Sequence, residues 1–169
     1  MSGPLVLVVM GVSGSGKSTI ARPVAQRLGW DFEEGDELHP AANIAKMHAG
    51  HPLTDADRGP WLDAVRAWIA GELQAGRSGV ITCSALKRAY RDRLSDGLPG
   101  VRFVYLKGEE ATIRTRVDDR QGHFMPPSLL DSQFQTLEPP APDEHVIEID
   151  IRQPVERQVD EIVHAITTP

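Results

Sequence analysis

Gly11-Val12-Ser13-Gly14-Ser15-Gly16-Lys17-Ser18 fits the pattern G-x-x-x-x-G-K-[ST] and lies in the context that such a loop requires. Ahead of it, Leu5-Val6-Leu7-Val8-Val9-Met10 is a continuously apolar run, as expected of a strand buried on both faces. Behind it, Thr19 to Leu28 reads as a helix, with Ile20, Val24 and Leu28 at i, i+4 and i+8. Strand, glycine loop and helix in that order predict a cradle for phosphates, made of backbone N–H groups and the positive helix end. Lys17 is expected to reach the β and γ oxygens, and the Ser18 hydroxyl to take one position on Mg²⁺. The stretch Gly11 to Thr19 is thus the expected nucleoside triphosphate site.

Working outward, strand-like and helix-like segments alternate to the end of the chain, which predicts an α/β fold with a parallel sheet. A weak second strand, Asp31 to Glu34, ends at Gly35-Asp36. Pro40 and Gly50 bracket a short helix, Ala41 to Ala49. A longer helix starts near Asp55 and carries Trp61, Leu62, Val65, Trp68, Ile69 and Leu73. Val80 to Cys83 and Val101 to Leu106 read as strands three and four, with a helix Ala85 to Leu94 between them. Val146 to Ile149 is the fifth strand. A last helix presents Val155, Val159, Ile162, Val163 and Ile166 on one face. Between strands four and five lie nearly forty residues, more than a crossover needs. They hold Arg114, Arg116 and Arg120, a Gly/Pro-rich run Gln121 to Pro127, and a short helix near Leu129. This segment, about residues 112–140, is expected to be a helical lid on a single domain spanning 1–169.

The 169 residues carry a formal charge of −6, which argues against a nucleic-acid or acidic-membrane binder. No apolar run approaches the length of a membrane span, and the N-terminus lacks a basic leader, so a cytoplasmic protein is expected. The lone Cys83 fits a reducing compartment and inert packing.

In open parallel sheets, ligands bind beyond the carboxyl ends of the strands. Those ends supply the phosphate loop, Asp36, Ser84 with Lys87, the lid, and Asp150 to Gln153. This convergence predicts a kinase. Asp36 is the candidate to accept the proton of an acceptor hydroxyl or to hold that hydroxyl in line, and to order Mg²⁺ through water. Arg116 and Arg120 are candidates to close over ATP. Lys87 and Arg91, four apart, are expected to share one helix face and, with Arg58, to hold a small anionic substrate. His39, before Pro40, is expected to cap or pack. No zinc spacing and no N-K-x-D guanine reader is present.

Beyond the phosphate loop, the chain carries the runs Gly35-Asp36-Glu37-Leu38-His39-Pro40, Asn43-Ile44-Ala45-Lys46-Met47 and Cys83-Ser84-Ala85-Leu86-Lys87. Arg120-Gln121-Gly122-His123-Phe124-Met125 and Ser132-Gln133-Phe134 through Pro139 follow. In these runs together the chain resembles the gluconokinases, a family of small P-loop kinases related to shikimate kinase and the nucleoside-monophosphate kinases. The resemblance implies a P-loop kinase fold with a five-stranded sheet, and transfer of phosphate from ATP with Mg²⁺ to the 6-hydroxyl of D-gluconate, feeding the pentose phosphate pathway. It places Lys17, Asp36 and Arg120 in the chemistry. His39, Lys46, Met47, Arg58, Lys87, Arg91 and His123 join Asp36 on the substrate side, and Arg116 and Gln153 on the nucleotide side. Ser18 and Asp36 fall to the metal. A homodimer is also implied. The rivals are a kinase of another small acceptor and a ligand sensor without turnover.

Overall fold

The computed structural model describes residues 3–119 and 129–168. Five strands form one parallel sheet in the order β2-β3-β1-β4-β5. They are β1 (Val6–Met10), β2 (Asp31–Glu34), β3 (Gly79–Thr82), β4 (Val101–Lys107) and β5 (Ile147–Asp150). The helices among the described residues are α1 (Lys17–Leu28), α2 (Ala41–His48), α3 (Asp55–Gln74), α4 (Arg88–Ser95), α5 (Glu110–Asp119), α6 (Leu130–Thr136) and α7 (Val155–Thr167).

The apolar run of β1 is central, and its five residues are all fully buried. Alternation along the strand sends them to opposite layers. Leu7 and Val9 face a core with Ile20 and Val24 of α1 and Val159 and Ile162 of α7. Val6, Val8 and Met10 face Trp61, Val65 and Ile69 of α3 and Tyr90 and Leu94 of α4. Burying each such side chain contributes at most about 1.5–3 kcal/mol. A helix layer on each face of the sheet is therefore what the continuous apolar run demands. The entry to α3 is fixed by a capping box: Asp57 N–H donates to Thr54 Oγ1 at 3.1 Å, and Thr54 N–H donates to Asp57 Oδ2 at 2.8 Å.

Three expectations shift. The helix after β3 begins at Arg88 rather than Ala85, because the chain turns through a positive φ of 46° at Ala85. Val155, expected on the packed face of α7, is the first residue of that helix and is exposed. In the long β4–β5 connection, α5 and α6 are both present, whereas the run Gln121 to Pro127, with Arg120, lies outside the described residues.

Candidate active site

The switch in strand order places β1 between β3 and β4, so the loop after β1 opens at the crevice where parallel sheets bind ligands. Gly16 caps α1 with φ 98° and ψ 25°, a left-handed conformation that glycine adopts without a Cβ penalty. No acidic residue of α1 itself occupies its first turn, and the positive end of the helix dipole at the crevice favours an anion there. Lys17 Nζ folds back over the loop, donating to the carbonyls of Gly11 and Val12 at 3.2 Å each.

The end of β2 is held from two sides. A Cβ on Gly35 would lie 1.8 Å from the Thr82 carbonyl oxygen, so only glycine lets the chain pass β3 this closely. Gly35 N–H donates to Thr82 Oγ1 at 3.1 Å, and Trp61 Nε1 donates to the Gly35 carbonyl at 2.8 Å. The tight turn Gly35–Leu38 that follows carries Asp36 into a cleft of about 730 Å³, lined also by Lys17, Ser18, His39 and Arg58. Beside it, Glu34 accepts from Ser18 Oγ at 2.6 Å and from the Thr82 hydroxyl.

On the far wall, His39 stacks on Trp61 with ring centroids 4.1 Å apart and planes 15° apart. Asn43 Nδ2 donates to the Asp57 carbonyl at 2.9 Å and lies 3.2 Å from His39 Nδ1. With the amide nitrogen fixed as donor by that carbonyl, Nδ1 is the acceptor and the imidazole proton sits on Nε2. Burial, with Arg58 as the smaller cause, pushes the imidazole down to about 4, so the ring is a neutral donor. His39 packs, as expected, and it also lines the cleft. Met47 lines the same wall and clusters with Leu53 and Leu129. Lys46 pairs with Asp57 at 2.6 Å, which holds that carboxyl down to about 2.

Arg58 projects into the cleft and donates to Tyr90 Oη at 2.9 Å. Tyr90 in turn bonds Asp55, and Lys87 Nζ donates to Asp55 Oδ1 at 3.0 Å. Lys87 thus belongs to a polar chain behind Arg58 rather than to the cleft lining. Arg91 departs from expectation. Its side chain is 1% exposed and forks onto Glu144, at 2.7 Å from Nε, while Nη1 donates to the Ala85 carbonyl at 2.8 Å and Nη2 to the Glu138 carbonyl at 3.0 Å. The shared face with Lys87 fails because Lys87 precedes α4 in an extended conformation. Arg91 is a buried anchor outside the cleft lining.

On the other side of the loop, a second cavity of about 600 Å³ is lined by Gly14, Gly16, Thr19, Arg116, Gln153 and Pro154. Arg116 Nη2 donates to the Ile151 carbonyl at 2.8 Å, and Gln153 Nε2 to the Asp150 carbonyl at 3.2 Å. Ser13 lines the main cleft, Ser15 the second cavity, and Val12 is buried beneath the loop. Arg120 and His123 lie outside the described residues. Sequence reasoning assigned no role to Glu34 or Gln133. Glu34 is the last residue of a strand and two before Asp36, a position that the strand-end argument could have found. Gln133, 120 residues from the Ser13 N–H it accepts at 2.6 Å, left no local signal.

Comparison with known proteins agrees with this geometry. A family profile described as an AAA domain matches residues 6–140. The gluconokinase of Gluconobacter oxydans (strain 621H) is 54% identical over 147 residues, covering 86% of this chain and 82% of that protein. The thermoresistant gluconokinase of Escherichia coli (strain K12) is 45% identical over 162 residues, covering 95% and 93%. The crystal structure of a gluconokinase from Sinorhizobium meliloti 1021 superposes with a TM-score of 0.85 at 45% identity, covering 99% of this chain and 94% of that one. With the glycine loop G-x-x-x-x-G-K-S opening α1, Asp36 in the same cleft and this likeness over nearly its whole length, the chain belongs to the AAA-domain family of the profile and, within it, to the gluconokinases.

Proposed function

We propose that the chain transfers the γ-phosphoryl group of ATP to the 6-hydroxyl of D-gluconate, giving 6-phospho-D-gluconate and ADP. The observation that carries this reading is that Lys17, Ser18, Asp36 and Arg58 line one cleft although they come from three separate segments of chain. The triphosphate lies along the loop, with its base end toward Arg116 and Gln153 and its γ end toward Asp36. Lys17 leaves the Gly11 and Val12 carbonyls to meet the β and γ oxygens. Asp36 accepts the proton of the 6-hydroxyl or holds that oxygen in line. Arg58, at the substrate end, meets the carboxylate or hydroxyls, and the neutral His39 offers an N–H to an oxygen. Arg120 keeps the role over ATP, and His123 the place on the substrate side, that the resemblance implies.

The residues present fit Mg²⁺. Ser18 supplies a hydroxyl, and the carboxylates of Glu34 and Asp36 line the same cleft, a hard oxygen set that suits an ion which keeps several waters and binds phosphate oxygens. When bound, the ion neutralises charge on the transferring group. We also infer a cytoplasmic protein, in keeping with the buried Cys83 thiol that burial pushes up to about 12, and a homodimer, which light scattering would test. No helix among the described residues is long and apolar enough to cross a membrane.

The experiment is Asp36→Asn. Loss of a positioned acid–base group lowers kcat by about 10²–10⁴, with ATP affinity nearly kept. Wild-type kcat in this variant would remove Asp36 from the chemistry.

A further inference from the structure

Ser13 marks the acceptor end of the phosphate loop. It lines the main cleft but not the second cavity, whereas Gly14, Gly16 and Thr19 line both. Its residue is 8% exposed, so its backbone N–H cannot rely on bulk water and needs a partner within the protein. That partner comes from the far end of the β4–β5 connection, where Gln133 Oε1 on α6 accepts the Ser13 N–H at 2.6 Å. Gln133 is itself 8% exposed and lines the cleft. Because the amide oxygen is turned to the loop, its NH₂ occupies the other branch of the amide.

The helix carrying Gln133 is firmly footed. Leu137 N–H donates to the Gln133 carbonyl at 2.9 Å, and Glu138 N–H to the Leu86 carbonyl at 2.7 Å. Arg91 Nη2 donates to the Glu138 carbonyl at 3.0 Å from its buried position. The guanidinium that is absent from the cleft thus anchors the element that reaches back into it. This footing holds the Gln133 oxygen against the loop from outside the loop itself.

We propose that Gln133 is a positioning residue: by holding the Ser13 N–H, it sets the acceptor-side turn of the phosphate loop for the transferring phosphoryl group. The proposal rests on the reading of the cleft as a phosphoryl-transfer site. Its distinctive consequence is selectivity between nucleotides, because only a triphosphate places a phosphoryl group at the Ser13 end. A glutamine that merely stabilised the fold would affect ATP and ADP alike.

The test is binding of ADP and of a non-hydrolysable ATP analogue, both with Mg²⁺ and without gluconate, to the wild-type protein and to Q133M and Q133L. Methionine keeps the length and removes the oxygen that accepts the Ser13 N–H. Leucine removes the same oxygen with a shorter side chain, and neither variant adds a charge. In each variant the ATP-analogue Kd is expected to rise about fivefold, equivalent to about 1 kcal/mol, while the ADP Kd stays within about twofold. Equal shifts for the two nucleotides, or no shift for either, overturn the proposal. If Q133M does not fold, Q133L decides by the same ratio. Wild-type turnover of gluconate, run in parallel, reports separately on the functional reading.

Discussion

Ser18 Oγ donates to Glu34 Oε2 at 2.6 Å, joining the last residue of the phosphate loop to the last residue of β2. The Thr82 hydroxyl holds the other Glu34 oxygen, so the carboxylate is fixed between the first turn of α1 and β3. With Mg²⁺ bound as proposed above, a carboxylate in that position would orient the Ser18 hydroxyl and the water shell of the ion. Glu34→Ala is expected to raise the Mg²⁺ concentration for half-maximal rate about tenfold, equivalent to about 1.4 kcal/mol. A metal titration of the steady-state rate measures this; an unchanged midpoint removes Glu34 from the metal shell.

Gly35 tolerates no side chain. Gly35→Ala puts a methyl group 1.8 Å from the Thr82 carbonyl oxygen, where backbone meets backbone and nothing flexible can yield. The expected cost is about 1–3 kcal/mol or more of stability, together with displacement of Asp36 and loss of most of kcat. Gly71→Ala is the control, since no heavy atom lies within 4 Å of a Cβ there and the residue is inside α3. That variant should gain about 0.4–1 kcal/mol. Chemical denaturation of both proteins separates the two effects, and equal behaviour would contradict the close approach at Gly35.

Two arginines expected to act together should separate. Arg91→Ala leaves Glu144 in place without its forked partner and frees the Glu138 and Ala85 carbonyls, a loss of about 3–5 kcal/mol. The gluconate KM of the surviving enzyme should be unchanged. Arg58→Ala should do the reverse, raising that KM about tenfold or more with a small change in melting temperature. A raised KM in Arg91→Ala with normal stability would return Arg91 to the substrate.

His39 gives stability a dependence on pH. Its folded pKa, about 4, lies below the ordinary 6.5, so the unfolded chain binds more protons between those values. Stability contributed by the neutral ring is complete above about pH 6.5 and is lost as pH falls toward 4. The carboxyls of Asp57 and Asp150, held down to about 2 by Lys46 and Arg152, lose their contribution only below the ordinary carboxylate value of 3.8. Melting temperatures at pH 7 and pH 5 should therefore fall in the wild type and fall less in His39→Gln. Equal drops would place the imidazole outside the linkage.

How much of this was legible in the sequence depended on whether the signal was local. The phosphate loop, the order of strands and helices, and the turn at Asp36 rest on runs of adjacent residues, and strand ends move by only about a residue. Arg91 was misplaced because its pairing with Lys87 assumed one continuous helix, whereas the positive φ of Ala85 delays α4 to Arg88. Its true partners, Glu138 and Glu144, lie about fifty positions away. The contact of Gln133 with Ser13 was illegible for the same reason, although Gln133 lies in a run that carries the resemblance, and Glu34 was hidden by a strand with weak alternation whose four residues are intermediate or exposed.

In the function proposed, a triphosphate and a sugar acid meet in the cleft lined by Lys17 and Asp36. The most direct measurement is ADP release coupled to analysis of the phosphorylated product, across D-gluconate, shikimate and nucleoside monophosphates. ADP is expected one for one with 6-phospho-D-gluconate, and much more slowly with the other acceptors. Gluconate-independent ADP release, or a faster reaction with shikimate or a nucleotide, would contradict it.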